Sequence, residues 1–205
     1  MLKRRKNNIL TFILILTLGI TSCATTFKGR VIDADTKEPI EGAVIVASWS
    51  ESRATPAGEV SRYKDVKETL TDKNGEWSIT GPKGSKGSNI TAIFTLFTGT
   101  HYTRPPQFIV FKPGYCSWPA GFGITACKEK IKPVSHNKVA EGETVELPKL
   151  TNREDRRRAL PGTAGDSREF DKKQINFLKL INEEHKNIFG EGDLEDYIKE
   201  LENEK

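Results

Sequence analysis

Short strand-like segments separated by turn residues follow one another from residue 27 to residue 150, and this pattern strongly restricts the possible folds. Residues 27–34 alternate apolar and polar positions, with Phe27 and Val31 on the same side of the predicted strand. A two-residue period is typical of a strand with one buried face. Residues 42–49 form a continuous apolar run and predict a second, more deeply buried strand.

The clearest local signal is a turn within residues 69–79. Asn74 and Gly75 follow Asp72 there, and both adopt a positive φ more easily than other residues. The turn separates two strand-like segments. We therefore expect three apolar side chains that flank it to point into one core: Leu70, Trp77 and Ile79.

Three further apolar segments, residues 89–97, 107–111 and 143–147, bring the prediction to about seven short strands. No helical periodicity is evident before residue 151. The sequence thus predicts an all-β fold, a seven-stranded Greek-key-type β-sandwich, followed by a C-terminal α-helical tail.

Four short motifs occur in this region in a fixed order: Gly29-x-Val31, Asp33-Ala-Asp-Thr-Lys-Glu-Pro-Ile-Glu-Gly-Ala43, Thr71-Asp-Lys-Asn-Gly-Glu-Trp-Ser-Ile79 and Lys112-Pro-Gly-Tyr115. Together they resemble the carboxypeptidase regulatory-like domain, a transthyretin-like β-sandwich. The resemblance assigns residues 23–150 to that domain. It implies a non-catalytic accessory module, so no catalytic residue is carried over. Two segments depart from the family pattern: a polar insertion at residues 50–64 and a Cys/Trp/Gly-rich stretch at residues 112–137.

The first 22 residues have the organisation of a signal peptide. Four basic residues within the first six positions precede an apolar run at residues 9–20. Twelve helical residues span about 18 Å, less than the roughly 30 Å of a bilayer's hydrocarbon core. The alternative is an uncleaved anchor helix.

The net charge of the chain also depends on this segment. Removing residues 1–22 takes away four of the 32 Lys and Arg and none of the 28 Asp and Glu, which leaves a neutral chain. A neutral chain argues against nucleic acid as a partner.

Ile20-Thr-Ser-Cys23 resembles the lipobox of bacterial lipoproteins. The resemblance implies that Cys23 becomes the first mature residue and carries a diacylglycerol and a fatty acid such as palmitate. Two or three acyl chains hold a protein firmly at a membrane. Ala24, rather than Asp, follows this cysteine. By resemblance to the Gram-negative sorting pattern, this favours the periplasmic face of the outer membrane over the inner membrane.

Cys116 and Cys127 are the two remaining cysteines. Outside the cytoplasm such a pair is expected to be oxidised, and closing a loop of this size stabilises a fold by about 3 kcal/mol. The alternative is two separately buried thiols. Trp118 and Phe122 lie inside the loop, where they either contact a ligand or cover the open end of the sandwich.

Residues 151–165 contain three consecutive Arg and a Pro-Gly pair, which predicts an exposed linker.

The tail comprises residues 166–205. Asp166 is expected to cap a helix there together with Glu169. Helix-in-groove binding uses apolar residues at helical spacing. The tail has such residues for docking to an envelope protein, although they could equally pack on the sandwich: Phe170, Leu178, Ile181, Ile188, Leu194, Tyr197, Ile198 and Leu201. A chain that ends near Leu150 is expected to fold without the tail.

Signals for catalysis, metal binding or a cofactor are weak. Residues 81–88 lack the Gly-Lys-Ser/Thr ending of a phosphate loop, and no helix is expected after them. The three His residues are scattered, which argues against a zinc site. Three aspartates near turns could bind Ca²⁺ weakly but are more typical of turn caps: Asp33, Asp35 and Asp72.

Two functions follow from these features. The first is a membrane-anchored cell-envelope lipoprotein with a non-catalytic binding or scaffolding module, and therefore not an enzyme. The alternative is an accessory or enzymatic domain that acts on envelope glycan or peptide through residues 50–64 and 112–137.

Overall fold

The computed structural model describes residues 24–120, 127 and 134–204. The predicted signal peptide at residues 1–22, the lipidation site Cys23 and the aromatic residue Phe122 lie outside the described residues. The strands are β1 (Ala24–Asp33), β2 (Val44–Thr55), β3 (Gly58–Leu70), β4 (Glu76–Pro82), β5 (Tyr102–Thr103), β6 (Gln107–Phe111) and β7 (Val145–Leu147). The helices are α1 (Asn89–Thr98), α2 (His136–Ala140), α3 (Arg153–Arg158), α4 (Arg168–Asp171), α5 (Ile175–Phe189) and α6 (Glu195–Asn203).

The strands form two sheets. In the first sheet β1 is central, antiparallel to β4 and parallel to β7. In the second sheet β2 pairs with β3 along one edge and with β6 and β5 along the other, always antiparallel. The fold is therefore sheet-rich. It is also mixed rather than all-β, with about 33% of the described residues in strands and 30% in helices.

The main core lies between the two sheets. It receives side chains from β1, β2, β4, β6 and β7, which explains the alternation seen in the sequence. Gly29 is needed on β1 because a side chain there would collide with the indole of Trp77. The largest core residues are Phe27, Trp49, Trp77, Phe108 and Trp118.

Residues 89–97, expected to be a strand, form helix α1 instead. The segment has no strict alternation, and both of its ends carry helix caps. Ser88 accepts a hydrogen bond from the backbone N–H of Thr91, and Gly99 ends the helix in the left-handed conformation, with φ of 69°. These local contacts satisfy end groups that a helix otherwise leaves unpaired. The expectation of no helix before residue 151 is also wrong at α2.

The polar segment at residues 50–64 is not a separate insertion. It continues β2 and β3 as a long hairpin that turns between Thr55 and Gly58. Its side chains are half-buried or buried along β2 and exposed along β3. Backbone pairing, rather than apolar composition, determines the structure of this segment.

The turn at residues 72–75 forms as predicted but joins two different sheets, because β3 pairs with β2 and β4 with β1. The Oδ1 atom of Asp72 accepts hydrogen bonds from the backbone N–H groups of Asn74 and Glu76. Trp77 and Ile79 are buried as expected. Leu70 is not, since the chain leaves the second sheet there and the side chain faces solvent.

Residues 151–165, expected to be an exposed linker, are about half exposed but are not without structure. They contain α3, which Asn152 caps through its side chain, and they bury Ala159 and Ala164. Helix α4 begins after Ser167, so the predicted pair of Asp166 and Glu169 does not cap it.

The tail packs on the chain's own second sheet. Phe177 and Ile181 of α5 contact a cluster formed by residues of β2, β3 and β6: Val44, Val46, Val66 and Phe111. Helix α6 packs on α5 through a separate cluster. Five of the eight residues expected to dock a partner are therefore buried within the chain, namely Leu178, Ile181, Ile188, Ile198 and Leu201. The other three, Phe170, Leu194 and Tyr197, are partly buried against the same clusters.

Candidate functional site

The strongest candidate site is the end of the molecule where β1 begins. Ala24, the residue after Cys23, already lies in the sheet opposite Pro82. The indole Nε1 of Trp49 donates a hydrogen bond of 2.8 Å to the carbonyl oxygen of Pro82, which ties the two sheets together there. The start of β1 is therefore a well-packed part of the fold.

A basic loop leads away from Pro82 along this end. Lys83 and Lys86 are exposed, while Gly84 lies against the backbone of Arg104. The backbone N–H of Ser85 donates to the carbonyl oxygen of Thr103 at 2.8 Å. The loop is therefore docked on β5 and its neighbours, with its lysines directed outwards.

Helix α1 follows this loop and carries the largest concentration of exposed apolar side chains in the described part of the chain. Only Thr95 is buried in it, and its hydroxyl accepts a hydrogen bond of 3.1 Å from the backbone N–H of Ala54 in the β2–β3 hairpin. Ile90 is 80% exposed and Phe97 is 83% exposed. Three more apolar residues of α1 are also exposed: Ile93, Phe94 and Leu96.

The β2–β3 hairpin beside α1 carries ion pairs that orient its charges. Arg62 donates from Nε to Glu51 at 2.7 Å. This hydrogen bond, together with the charges of Arg62 and Lys64, holds the pKa of Glu51 below its usual value although burial opposes the shift. Burial and the neighbouring Glu59 raise the pKa of Tyr102, whose hydroxyl donates to that carboxylate at 3.1 Å.

A polar groove of about 490 Å³ lies beside the basic loop. Its lining includes Lys86, Arg104, Gln107, Ser135 and His136. The groove can offer positive charge and hydrogen-bond donors to a polar ligand.

His136 supports this groove rather than acting in it. Its Nδ1 accepts a hydrogen bond of 3.0 Å from the backbone N–H of Phe108, so that nitrogen carries no proton. The ring packs edge-on against Trp118 with centroids 4.9 Å apart. Burial lowers the pKa of His136, which keeps the imidazole neutral at physiological pH.

The disulfide between Cys116 and Cys127 is confirmed. Both cysteines are buried with Leu150 and Ala159, so the bridge fastens this loop to the start of the C-terminal segment. Trp118 is only 3% exposed and belongs to the main core. Its burial agrees with the alternative that it covers the end of the sandwich and leaves little of its surface for contact with a ligand.

Among residues 24–120, 127 and 134–204, no group of three or more His, Cys, Asp or Glu side chains is placed to hold a metal ion. Asp33 and Asp72 both cap turns through their side chains, and Asp35 is exposed. In the same part of the chain, no helix has the length and apolarity needed to cross a membrane.

Sequence reasoning missed the surface of α1. The signal was present, because Ser88 and Gly99 bracket a ten-residue segment whose apolar positions 90, 93, 94 and 97 recur at helical spacing. The high content of Ile, Phe and Thr favoured a strand instead.

No family model matches this sequence, and no curated protein matches it. The solved structures that this chain matches include catechol dioxygenases. One is 3-chlorocatechol 1,2-dioxygenase from Rhodococcus opacus, 23% identical, with a TM-score of 0.27 over 47% of this chain and 42% of that enzyme. Others are catechol 1,2-dioxygenases from Acinetobacter radioresistens, 20% identical with a TM-score of 0.29 over 70% and 56% of the two chains, and from another Acinetobacter, 15% identical with a TM-score of 0.31 over 65% and 55%.

These neighbours are enzymes, and this finding contradicts the prediction that the chain is not an enzyme; that prediction is withdrawn. The chain spans about half the length of the solved structures that it matches. At such low TM-scores the likeness does not assign an activity to this protein. The similarity covers only part of each of these larger enzymes.

Proposed function

We propose that this protein is a bacterial lipoprotein, anchored through Cys23 to the periplasmic face of the outer membrane, whose β-sandwich is a binding module held at the membrane surface. The observation that carries the proposal is the order of segments. The apolar run of residues 9–20 ends at Ser22 and Cys23, and the folded sheet begins at the next residue, Ala24. A lipid on that cysteine would place the module directly against the bilayer.

We further propose that the two sheets are a variant of the carboxypeptidase regulatory-like sandwich. Two contacts support this, and between them they join all four of the sequence motifs. The hydroxyl of Tyr115 donates to Asp33 at 3.2 Å, and the backbone N–H of Val31 donates to the carbonyl oxygen of Gly75 at 2.8 Å. The motifs thus meet at the end of the sandwich opposite to Ala24, where they act as structural residues.

The binding role is supported by the polar groove next to the basic loop. Lys86 and Arg104 lie at the same end as Ala24, so a ligand in the groove would be held close to the membrane. The side chains offered there suit an anionic or strongly polar ligand. Residues 50–64 contribute to this end as part of the β2–β3 hairpin rather than as an independent site.

Metabolic labelling with radioactive palmitate tests the anchor. We expect the wild-type chain to be labelled, and Cys23→Ala to remain an unlabelled precursor, because the lipid is attached to that thiol. Cys127→Ser is the matched control and should still be labelled, since its cysteine lies in a disulfide within the fold. Equal labelling of the wild type and Cys23→Ala would refute the lipoprotein proposal.

A further inference from the structure

We propose that helix α1 inserts its apolar face into the lipid surface to which Cys23 is anchored, so that the protein contacts the bilayer at two points. This inference rests on the proposed lipid anchor and adds a second, non-covalent site. The partner that covers the exposed surface of α1 is thus a lipid bilayer.

The polarity of α1 is inverted relative to a helix that packs on a soluble core. Residues 90, 93, 94 and 97 lie on one stripe at helical spacing, and all four are exposed Ile or Phe side chains. The opposite side contains Thr91 and Thr95, which are half-buried and buried against the protein. A soluble helix normally turns its apolar stripe inwards. An outward stripe of this kind marks a binding surface for an apolar partner.

The helix is also suited to lie within a membrane interface rather than to cross it. Its ten residues, Asn89–Thr98, include no charged side chain. At 1.5 Å per residue they extend for about 15 Å, half the thickness of the hydrocarbon core. Short helices with Phe and Ile on one face bury that face at the boundary between headgroups and acyl chains.

The position of α1 relative to the anchor indicates lipid as the partner. Ala24 pairs with Pro82, and α1 begins seven residues after that proline. Thr25, Lys83 and Lys86 line one depression, so the basic loop and the start of β1 share a surface. Cys23 is two residues before Thr25, a chain length of at most about 7 Å, so the proposed lipid is attached close to this surface.

The charge around α1 also suits an anionic lipid surface. Residues 50–64 and 83–104 contain six Lys and Arg but only two Glu. Both acids face basic groups: Glu51 pairs with Arg62 and Lys64, and Glu59 lies 3.7 Å from Arg104. Basic residues beside an apolar face strengthen attachment to membranes that contain anionic lipid.

Depth-dependent fluorescence quenching tests the inference on the full, acylated chain. An environment-sensitive thiol-reactive fluorophore is attached to Phe97→Cys after purification, and the protein is reconstituted into vesicles of phosphatidylethanolamine and phosphatidylglycerol that contain brominated lipid. Labelling is specific because the proposed acyl group blocks Cys23, and Cys116 and Cys127 form a disulfide. Phe97 is largely exposed, so its replacement removes little packing.

Lys73→Cys is the matched control. It is exposed and lies in the turn at the opposite end of the β1–β4 pair, roughly 20 Å from the Pro82 end at about 3.3 Å per strand residue. We expect the fluorophore at position 97 to shift to shorter wavelength and to lose most of its emission to the brominated lipid. The fluorophore at position 73 should be unaffected. Adding Ile93→Asp and Phe94→Asp to the Phe97→Cys chain should abolish the quenching while acylation keeps the protein on the vesicles.

Three results would overturn the inference in distinguishable ways. An acylated, vesicle-bound chain without quenching at position 97 would refute insertion of α1 and leave the lipid anchor intact. Shielding of position 97 only after addition of envelope proteins would assign α1 to a protein partner instead. A purified chain whose intact mass shows no acyl group would refute the proposed anchor itself, and with it this inference.

Discussion

At the scale of single residues, Asp33 shows how a buried carboxylate organises a turn. Its Oδ1 atom accepts from the backbone N–H groups of Asp35 at 2.8 Å and Thr36 at 3.0 Å, and its Oδ2 atom accepts from Tyr115. Burial by itself would raise the pKa of Asp33. These hydrogen bonds outweigh burial, and the pKa lies below its ordinary value. The ionised form is therefore the one that stabilises the fold.

We predict that Asp33→Ala lowers the free energy of unfolding by about 1–3 kcal/mol at neutral pH, because three donors lose their acceptor. Since the pKa of this carboxyl is lower in the folded chain, its stabilisation is complete above the unfolded pKa. It is lost as the pH falls through the folded pKa. Urea denaturation at neutral and acidic pH measures this difference.

The neighbouring residue Asp35 provides the control. Its side chain is exposed, and only its backbone N–H takes part in the turn, so Asp35→Ala removes a carboxylate that does not support the turn. Its effect should stay within about 0.5 kcal/mol. A loss for Asp33→Ala that remained constant from neutral to strongly acidic pH would contradict the role assigned to the ionised carboxylate.

At the scale of elements, one ion pair joins α3, α5 and the turn after β6. Glu184 on α5 is only 2% exposed. It accepts two hydrogen bonds from Arg156 on α3, at 2.7 and 2.6 Å, and a third from the backbone N–H of Gly114 at 3.1 Å. The hydrogen bond that Arg156 donates to this carboxylate raises the pKa of the arginine, which therefore stays charged.

We expect Glu184→Ala to reduce the free energy of unfolding by about 3 kcal/mol, because it leaves a partly buried guanidinium and a backbone donor without their partner. Glu183→Ala is the matched control on the exposed side of the same helix. It should change stability by less than about 0.5 kcal/mol. Thermal or urea unfolding of both variants provides the comparison, and equal effects would show that the ion pair does not hold the three elements together.

At the scale of the whole molecule, the C-terminal helices are part of the fold because they cover the outer face of the second sheet. Strand β2 is buried on both faces. Ile45, Ala47 and Trp49 point to the core between the sheets, while Val44 and Val46 point to α5. Removing the tail would expose Val44 and Val46 together with Phe111.

We therefore predict that truncation after Thr151 abolishes the cooperative unfolding transition, contrary to the expectation that the sandwich folds alone. Each large apolar side chain contributes about 1.5–3 kcal/mol, and the exposed cluster approaches the roughly 5–15 kcal/mol by which a typical domain is stable. Calorimetry of the truncated and complete chains measures this. An unchanged midpoint would show that the tail is dispensable.

A milder pair of variants keeps this prediction testable if the truncated chain aggregates. Phe177→Ala removes a fully buried ring that packs against Phe111 and should cost about 3–5 kcal/mol. Phe189→Ala, near the end of the same helix, removes a half-exposed ring and should cost much less. Similar losses for the two variants would argue against a core beneath α5.

Much of the fold could be read from local sequence signals. The alternation in residues 27–34, the turn at residues 72–75 and the short apolar segments of β6 and β7 all correspond to structure. The continuous apolar run of residues 42–49 also indicated a deeply buried strand, and the structure buries it on both faces. The disulfide could be predicted from compartment and spacing.

The sequence by itself determined features that depend on neighbours along the chain, namely strand periodicity and turns. Tertiary structure decided the rest. Helix α1 is attached to the hairpin through Thr95 and Ala54, which are 41 residues apart, and the tail became part of the core because a sheet face needed cover. The same apolar stripe stabilises a helix whether it faces a partner or the chain's own sheet. Only the free energy of burying that sheet face, a property of contacts distant in sequence, determines where it packs.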